Sequence, residues 1–316
     1  MTAVITPLVS IGIPVYNGSN YIIETLESIK AQTYRNIEIF IVDDASTDTS
    51  VSVVKKWMSE NSDLAVTLLE RSENKGPCEA CNTFFENCNG EFFQYVGCDD
   101  LLFPDKISKQ IALLTELGDE YAFVYTDTDL INAKGAQQHT SYLESLNYNK
   151  HLMPQGEIFD ELLLFNFIQS CTPLVRTEAA RAVGGFNTRF WMEDYDLWLR
   201  LAYNYKVAYI PEVTASYRIH SSSLTNTSKT WARTIDEALH MRFQYIRNVN
   251  PATRKKIVEI IKHDAAALYS FEYDTAEYWL SKSFAISPHL KGAILLTFCK
   301  SGIRFKAISA LKSKIL

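Results

Sequence analysis

Residues 92–105 read FFQYVGCDDLLFPD, and this stretch decides how the rest of the chain is interpreted. The aromatic and β-branched residues up to Val96 predict a buried strand. Pro104 suits the first turn of a following helix, because the N–H that proline lacks would have no partner there. Asp99 and Asp100 are therefore predicted to lie where a central strand ends and the chain turns.

Two adjacent carboxylates at a strand end suit a metal ion that is bound together with a phosphate. Open α/β sheets bind ligands in the crevice beyond the carboxyl ends of their strands, and carboxylate oxygens are suitable ligands for Mg²⁺ or Mn²⁺. An Asp-Asp pair also occurs in solvated turns and at helix caps. The pair alone leaves both interpretations open, and the remaining sequence has to decide between them.

The composition is that of a folded protein. The chain has 316 residues, of which 47% are hydrophobic and 12% aromatic, enough for one sizeable core plus an appendage or for two domains. The net charge of −6 argues against a nucleic-acid-binding protein. Six cysteines without a secretory signal predict reduced thiols and a cytoplasmic location. No apolar run reaches the roughly 20 residues of a membrane-spanning helix.

Strands and helices alternate before the opening stretch. Apolar runs at residues 8–14, 37–42 and 66–69 predict strands, so a mainly parallel sheet covered by helices is expected. The second run ends in Asp43 and Asp44, which either cap the next helix or accept hydrogen bonds from a nucleobase or ribose. No GxGxxG or GxxxxGKS motif is present, which excludes the dinucleotide-binding and P-loop classes.

The pattern continues after the opening stretch and then changes. A strand at residues 121–125 is expected to end before Asp127 and Asp129, and residues 134–156 read as a long polar loop near the site. Only helical periodicity remains from Lys229 onward, which predicts a domain boundary near residue 226. Three further strands are predicted at residues 172–175, 207–210 and 215–219.

A second acidic cluster, Glu193, Asp194 and Asp196, opens a predicted helix. Acidic residues at a helix N-terminus are favourable on electrostatic grounds alone, so the cluster by itself does not predict catalysis. Trp191 precedes it, and this ring either stacks on an acceptor sugar or belongs to the core. His220 follows the last predicted strand.

Taken together, five segments resemble the family 2 inverting glycosyltransferases with the GT-A fold. The resemblance covers about residues 8–225. It implies a GT-A catalytic domain over residues 1–225, with a mainly parallel central sheet covered by helices, and a C-terminal all-helical region over residues 226–316. The five segments are VSIGIPVYNGSNYIIETLESIKAQTY, IEIFIVDDASTD, the Asp99–Asp100 turn with Pro104, GGFNTRFWMEDYDLWLRL and YRIHSSSLT.

The resemblance implies nucleotide-binding roles for five residues. Pro14 and Tyr16 match the end of the first strand, which lines the nucleotide base. Asp43 matches the carboxylate that reads the base, with Asp44 beside it. Asp99 matches the end of the DxD region, which holds the metal, the diphosphate and the ribose. These residues would bind a nucleoside-diphosphate sugar, with a UDP-sugar as the first expectation.

The resemblance also implies a metal site and a catalytic base. Asp99 and Asp100 would hold Mn²⁺ or Mg²⁺, and His220 matches a histidine that reaches the metal or the diphosphate. Asp194 matches the base that deprotonates the acceptor hydroxyl. Trp191 and Glu193 are expected on the acceptor side.

The expected reaction moves a sugar to a hydroxyl of a glycan or lipid-linked acceptor, in the synthesis of surface polysaccharide. The sequence departs from the family at Gly97, where a DxD carboxylate is usual, and at Cys81, where an arginine is common. These departures leave open a silent protein that binds nucleotide sugars without turnover. A nucleotidyltransferase is disfavoured, because the GxGTRxxPxTK fingerprint is missing after the first strand.

The C-terminus predicts contact with a membrane surface. Seven Lys or Arg and no Asp or Glu follow Glu277. Apolar and basic residues at helical spacing near the end of the chain suit a helix that lies on an anionic leaflet, at the inner face of the plasma membrane. A terminal helix that packs on the catalytic domain would show the same pattern. The residues concerned are Ile308, Leu311 and Ile315, with Lys306, Lys312 and Lys314.

Overall fold

The computed structural model describes residues 6–221 and 228–305. The chain forms two compact units. Unit 1 runs to Phe159 and includes Asn166–His220, and unit 2 consists of Asp160–Phe165 and the chain from Ser221 onward. This division lies close to the domain boundary predicted from helical periodicity. It also assigns one short segment, Asp160–Phe165, to the helical unit.

The first half of unit 1 alternates strands and helices as predicted. The strands pair in parallel, β1 with β2 and with β4, and β2 with β3. Every residue of β4 is buried, as in a sheet covered on both faces. The elements are β1 (Val9–Val15), α1 (Ile22–Lys30), β2 (Ile37–Asp43), α2 (Ser50–Glu60), β3 (Val66–Glu70), α3 (Pro77–Asn87) and β4 (Phe92–Tyr95).

The chain then continues through shorter elements and two long strands. In chain order the elements are β5 (Leu101–Leu102), α4 (Lys106–Leu117), β6 (Tyr121–Asn132), β7 (Gln137–His139), α5 (Tyr142–Ser145), a 3₁₀ turn (Lys150–Leu152), α6 (Phe159–Leu164), β8 (Leu174–Arg176), α7 (Thr177–Ala182), α8 (Glu193–Asn204) and β9 (Lys206–Ile219).

The nine strands form one mixed sheet in the order β3-β2-β1-β4-β8-β6-β9-β5, with β7 against β6. Strand β8 is antiparallel to both β4 and β6, so the parallel arrangement of the first four strands ends there. Strands β6 and β9 are again parallel. The carboxyl ends of the parallel strands β1, β2 and β4 lie at one edge, and the loops that leave them carry Tyr16, Asp44, Asp99 and Asp100.

Two strands are longer than the sequence pattern predicted. Strand β6 continues to Asn132, so the expectation that it ends before Asp127 and Asp129 was wrong. Asp127 is tolerated inside the sheet because it accepts hydrogen bonds from Ser141 Oγ and from the Leu143 N–H. The two strands predicted near the end of the unit are one continuous strand, β9. The predicted loop at residues 134–156 contains β7, α5 and the 3₁₀ turn.

Unit 2 is helical. Asn250 caps α10, because its side chain accepts the N–H of Thr253. Asp236 of α9 accepts hydrogen bonds from the Thr275 hydroxyl and from the indole of Trp279, which is fully buried. Within residues 6–221 and 228–305, no helix is both long and apolar enough to cross a membrane. The helices are α9 (Ser228–Tyr245), α10 (Pro251–Ser270), α11 (Ala276–Ile286) and α12 (Leu290–Lys300).

Candidate active site

The loops that follow β1 and β2 are tied together by hydrogen bonds. Asn17 has a φ of 53°, and its Oδ1 accepts the N–H of Thr47 at 2.8 Å. The N–H of Gly18 donates to Ser50 Oγ at 2.9 Å. The neighbouring Tyr16 is 48% exposed. The two loops therefore form one rigid rim on which the Tyr16 ring is available to a ligand.

Asp43 is the last residue of β2 and is 4% exposed. Its Oδ2 accepts the N–H of Ser46 at 3.0 Å. Its Oδ1 is buried, and no donor from the described residues reaches it. Pro14, which is aligned with Val42 across the β1–β2 pair, lies one position from this carboxylate in the register. The strand end thus presents a hydrogen-bond acceptor that lacks an N–H partner.

Asp44 has a different role from its neighbour. Its Oδ1 lies 2.9 Å from Arg71 Nη1, and its Oδ2 accepts the N–H of Gly76 at 2.8 Å. Gly76 has a φ of 91°, a conformation that favours glycine, and Trp191 lies beside it. Asp44 is 3% exposed, so it organises the loop between β3 and α3. Trp191 packs near that loop and keeps some exposure.

Asp99 and His220 are brought together from distant parts of the chain. The distance between Asp99 Oδ2 and His220 Nε2 is 2.8 Å. The side chain of Asp99 is 26% exposed and that of His220 8%. The His220 ring also packs against Tyr21, with 4.7 Å between the ring centroids. The structure thus brings two of the three predicted metal-binding residues within hydrogen-bond distance of each other.

Asp100 is directed into the protein. It is 2% exposed, and its Oδ1 accepts the backbone N–H of Arg218 at 3.0 Å. Burial raises the pKa of Asp100 well above its usual value, and the nearby charge of Asp99 raises it further. Because the Asp99 side chain is 26% exposed and Asp100 is turned inward, the geometry favours Asp99 over Asp100 as a candidate metal ligand.

The residues fit a divalent cation that is bound together with a diphosphate. The described part of the chain contains no group of three or more His, Cys, Asp or Glu arranged to hold a metal ion. Mg²⁺ and related ions commonly take one or two protein ligands and complete their coordination with water and phosphate. Asp99 and His220 meet that requirement. At Gly97, a Cβ would lie 2.7 Å from Asp99 Oδ1, so a side chain here would displace the ligand.

The second acidic cluster divides into three separate roles. Asp196 forms an ion pair with Arg200 at 2.7 Å, so its charge is balanced. Glu193 Oε1 accepts a long hydrogen bond of 3.4 Å from the hydroxyl of Tyr95, which places the cluster near the carboxyl end of β4. Asp194 accepts the N–H of Tyr195 at 2.6 Å. Asp196 is thus neutralised by Arg200 of its own helix.

Burial raises the pKa of Asp194 to about 6, and this effect outweighs the opposing hydrogen bonds from the Tyr195 N–H and the Asn166 side chain. Those two donors are amides and carry no charge. A carboxylate with a pKa just below neutral is ionised at pH 7 and still holds a transferred proton well. This balance suits a general base.

Two buried basic residues near the site were not predicted from the sequence. Arg218 lies beneath the Asp99–Asp100 turn and is 1% exposed. Lys106 is fully buried, and its Nζ donates to Gln94 Oε1, Gln110 Oε1 and the Thr172 carbonyl oxygen. Burial lowers the pKa of Lys106 to about 7. In the sequence, the only feature that points to the buried Lys106 is the presence of Gln94 and Gln110 inside apolar patterns.

Solved structures share the fold. A mannosyltransferase from Pyrobaculum calidifontis, in complex with GDP-Man and Mn²⁺, matches with a TM-score of 0.61 and 21% identity, over 98% of this chain and 84% of that one. Residues 1–349 of TarS from S. aureus, in complex with UDP-GlcNAc, match with a TM-score of 0.58 and 16% identity, over 93% of this chain and 92% of that one. The GT-A fold expected from the sequence is confirmed.

Sequence comparisons identify the family. An uncharacterised glycosyltransferase of Rickettsia typhi is 34% identical over 226 residues, which are 71% of this chain and 67% of the relative. The putative glycosyltransferase EpsE of Bacillus subtilis is 29% identical over 248 residues, 74% of this chain and 80% of the relative. The family model for glycosyl transferase family 2 matches residues 10–183. The chain therefore belongs to glycosyl transferase family 2.

Proposed function

We propose that this chain is a metal-dependent inverting glycosyltransferase. It moves a sugar from a nucleoside-diphosphate sugar to a hydroxyl of a glycan or lipid-linked acceptor, in the synthesis of surface polysaccharide. Asp194 is the catalytic base, and Asp43, Asp99 and His220 bind the donor.

The observation that carries the proposal is the environment of Asp194. An acceptor hydroxyl that attacks the anomeric carbon must lose its proton as the bond forms, while the diphosphate leaves from the opposite face. A carboxylate with a pKa of about 6 can accept that proton at neutral pH. Glu193 lies next to Asp194, and Trp191 lies close by in sequence, so both are proposed to contact the acceptor.

The donor side of the proposal rests on the ends of β1, β2 and β4. The buried Asp43 Oδ1 offers an acceptor to a base N–H, and Tyr16 offers an exposed ring against which the base can pack. Asp99 and His220 would hold a divalent cation, whose chemistry when bound is to neutralise charge that develops on the departing diphosphate. Two structural neighbours were solved with GDP-Man and UDP-GlcNAc, which supports this donor class.

The test is a binding and turnover assay. Purified protein is screened by thermal shift against UDP-, GDP- and dTDP-sugars with and without Mn²⁺, because a ligand that binds the native state raises the unfolding temperature. We expect stabilisation by one nucleotide class that depends on Mn²⁺. Release of the labelled sugar then separates an enzyme from a silent binding protein. If none of the tested donors stabilises the protein, the proposal is wrong.

Contact with an anionic membrane is part of the proposal. In α12 only Gly292 is buried, while Leu290 is 79% exposed and Ile294 44% exposed. The sequence after Glu277 contains seven Lys or Arg and no Asp or Glu. The terminal residues that first suggested this contact, from Lys306 to Ile315, lie outside the described residues. The described α12 supplies an apolar face of its own.

Sedimentation with vesicles tests this contact. The full chain is expected to bind vesicles rich in phosphatidylglycerol, to release them as salt is raised, and to leave phosphatidylcholine vesicles unbound. The double variant Leu290→Ser with Ile294→Ser should bind less. Leu152→Ser is the matched control, because Leu152 is 78% exposed in unit 1. Equal loss in the control variant, or equal binding to both vesicle types, would contradict the membrane contact.

A further inference from the structure

A buried arginine lies beneath the Asp99–Asp100 turn. We propose that Arg218 is a positioning residue, which holds Asp99 and His220 in the geometry that a divalent cation with a nucleoside diphosphate requires. This inference rests on the proposed function, because it concerns the same site. Its support comes from the contacts of Arg218, its burial and the nature of its charged partner.

Arg218 contacts the turn at two points. Its backbone N–H donates to Asp100 Oδ1 at 3.0 Å, and its Nε donates to the Asp99 carbonyl oxygen at 2.8 Å. Arg218 belongs to β9, which is followed directly by His220. One residue thus fixes both the turn that carries Asp99 and the strand that leads to the histidine.

An aromatic ring connects Arg218 to His220. The guanidinium lies 4.9 Å from the centroid of the Tyr21 ring, a distance typical of a cation–π contact. The His220 ring packs against the same tyrosine at 4.7 Å. These contacts restrict rotation of the imidazole. They therefore help to keep His220 Nε2 within 2.8 Å of Asp99 Oδ2.

Stability alone does not account for a charge at this position. The Arg218 side chain is 0% exposed, and its ion-pair partner Glu24, at 2.7 Å, is 56% exposed. Removing a guanidinium from water is unfavourable, and an exposed carboxylate offsets little of that cost. An apolar side chain would fill the position more cheaply. Because the guanidinium is fully buried, it cannot touch the diphosphate and must act through its neighbours.

The first test is Arg218→Lys, which keeps the charge and removes the planar, multiply bonded guanidinium. Binding of Mn²⁺ with UDP, and separately with GDP, is measured by calorimetry and by the electron spin resonance of bound Mn²⁺. Removal of groups that orient metal ligands typically weakens metal affinity about 10- to 100-fold. We expect a loss in that range.

Arg176→Lys is the matched control. Arg176 is also largely buried, donates to the carbonyl oxygens of Tyr121 and Leu114, and lies 5.0 Å from the centroid of the Phe92 ring. It is located beside the first residue of β4, at the opposite end from the turn. The control should lower the unfolding temperature by a similar amount and leave the affinity for Mn²⁺ with either nucleotide unchanged.

Glu24→Ala is the second variant, and it avoids a failure to fold because this side chain is more than half exposed. It removes one partner of Arg218 and should weaken binding of Mn²⁺ with nucleotide by up to about fivefold, the upper end of what an exposed ion pair contributes. If both Glu24→Ala and Arg218→Lys keep the wild-type affinity, the inference about Arg218 is wrong, and the proposed function is unaffected. Failure of the unaltered protein to bind Mn²⁺ with UDP or GDP would overturn the proposed function as well.

Discussion

The two acidic pairs of unit 1 have different partners. In the Asp99–Asp100 turn, His220 Nε2 lies 2.8 Å from the first carboxylate, and the backbone N–H of Arg218 donates to the second. Asp194, in the other pair, receives hydrogen bonds from the neutral amides of Tyr195 and Asn166. The proposed roles differ accordingly: Asp99 binds a cation and Asp194 accepts a proton.

This difference shows that the partners of a carboxylate define its role. A partly exposed carboxylate that faces a histidine, as Asp99 does, suits a group that binds a cation. Burial without a positive partner favours the protonated form and moves the pKa towards neutral pH. The contrast is open to experiment at each pair, because substitutions at one should alter binding and substitutions at the other should alter turnover.

The largest effect is expected at Asp194. Asp194→Asn keeps the shape of the side chain and removes its basicity, so transfer should fall by about 10² to 10⁴ while donor binding is retained. Folding is checked by thermal unfolding. Folding raises the pKa of Asp194, so keeping this carboxylate ionised above pH 6 lowers the free energy of unfolding. The asparagine carries no charge, so the variant should unfold at a higher temperature than the unaltered protein at neutral pH. Full turnover in Asp194→Asn would assign the base elsewhere, with Glu193 as the next candidate.

A smaller effect is expected at the turn. Asp99→Ala should weaken binding of Mn²⁺ with UDP or GDP by at least the roughly 10- to 100-fold that loss of a residue orienting a metal ligand causes. Asp100→Asn should change affinity less, because its amide oxygen can still accept the Arg218 N–H. Calorimetry with both nucleotides compares the variants. Unchanged affinity and metal dependence in Asp99→Ala would remove the distinction between the two pairs.

The pH dependence of turnover sharpens the comparison further. With Asp194 as the proposed base, the ionised form is the active one, so kcat/KM should be nearly constant above pH 7 and fall as pH drops through about 6. At pH 5 the rate should be about tenfold below its plateau, because the ionised fraction falls about tenfold per pH unit below the pKa. Nucleotide affinity, measured over the same range, separates this effect from changes at the turn. A rate that stayed flat down to pH 5 would exclude a base with this pKa.

The smallest effect is expected at Gly97. A methyl group there would lie 2.7 Å from Asp99 Oδ1, so Gly97→Ala should push this side chain off its preferred rotamer. Such a displacement costs roughly 0.5–1.5 kcal/mol, or about a threefold to tenfold loss in affinity for Mn²⁺ with nucleotide. Gly118→Ala is a control for backbone strain in a loop, because the φ of 76° at Gly118 disfavours alanine while the added Cβ would meet no atom within 4 Å. Equal affinity in Gly97→Ala and the unaltered protein would show that the turn adapts freely.

The sequence was informative where function depends on strand ends. Asp43, Asp99 and Asp194 follow apolar runs or open an apolar helix, and period-2 and helical patterns place them at element boundaries. Asp127 shows where this pattern fails. A polar residue after an apolar run predicts the end of a strand, but Asp127 lies inside β6. The side chain is in fact satisfied by Ser141 and Leu143, and these contacts come from a segment that local patterns cannot pair with it.

The surroundings of Asp99, Asp100 and Arg218 depend on tertiary contacts, and the sequence did not predict them. Asp99 and Asp100 are adjacent and chemically identical, and only the approach of β9 makes one face His220 and the other face inward. Arg218 looks like any strand arginine, because its burial depends on Tyr21 and on elements far away in the chain. No local pattern encodes such long-range contacts.

The unpaired oxygen of Asp43 has a consequence for selectivity among nucleobases. Uracil, thymine and guanine each carry a ring N–H that this oxygen could accept, whereas the N3 of cytosine is itself an acceptor and would set two lone pairs against each other. An unsatisfied buried acceptor costs about 1–3 kcal/mol, which corresponds to roughly 10- to 100-fold in affinity. A base whose ring N–H faces this oxygen satisfies it, whereas cytosine places its N3 lone pair there and offers a donor only from its 4-amino group. Donors activated with CMP should therefore bind more weakly than those activated with UDP, dTDP or GDP, a difference set by the base before the sugar is recognised.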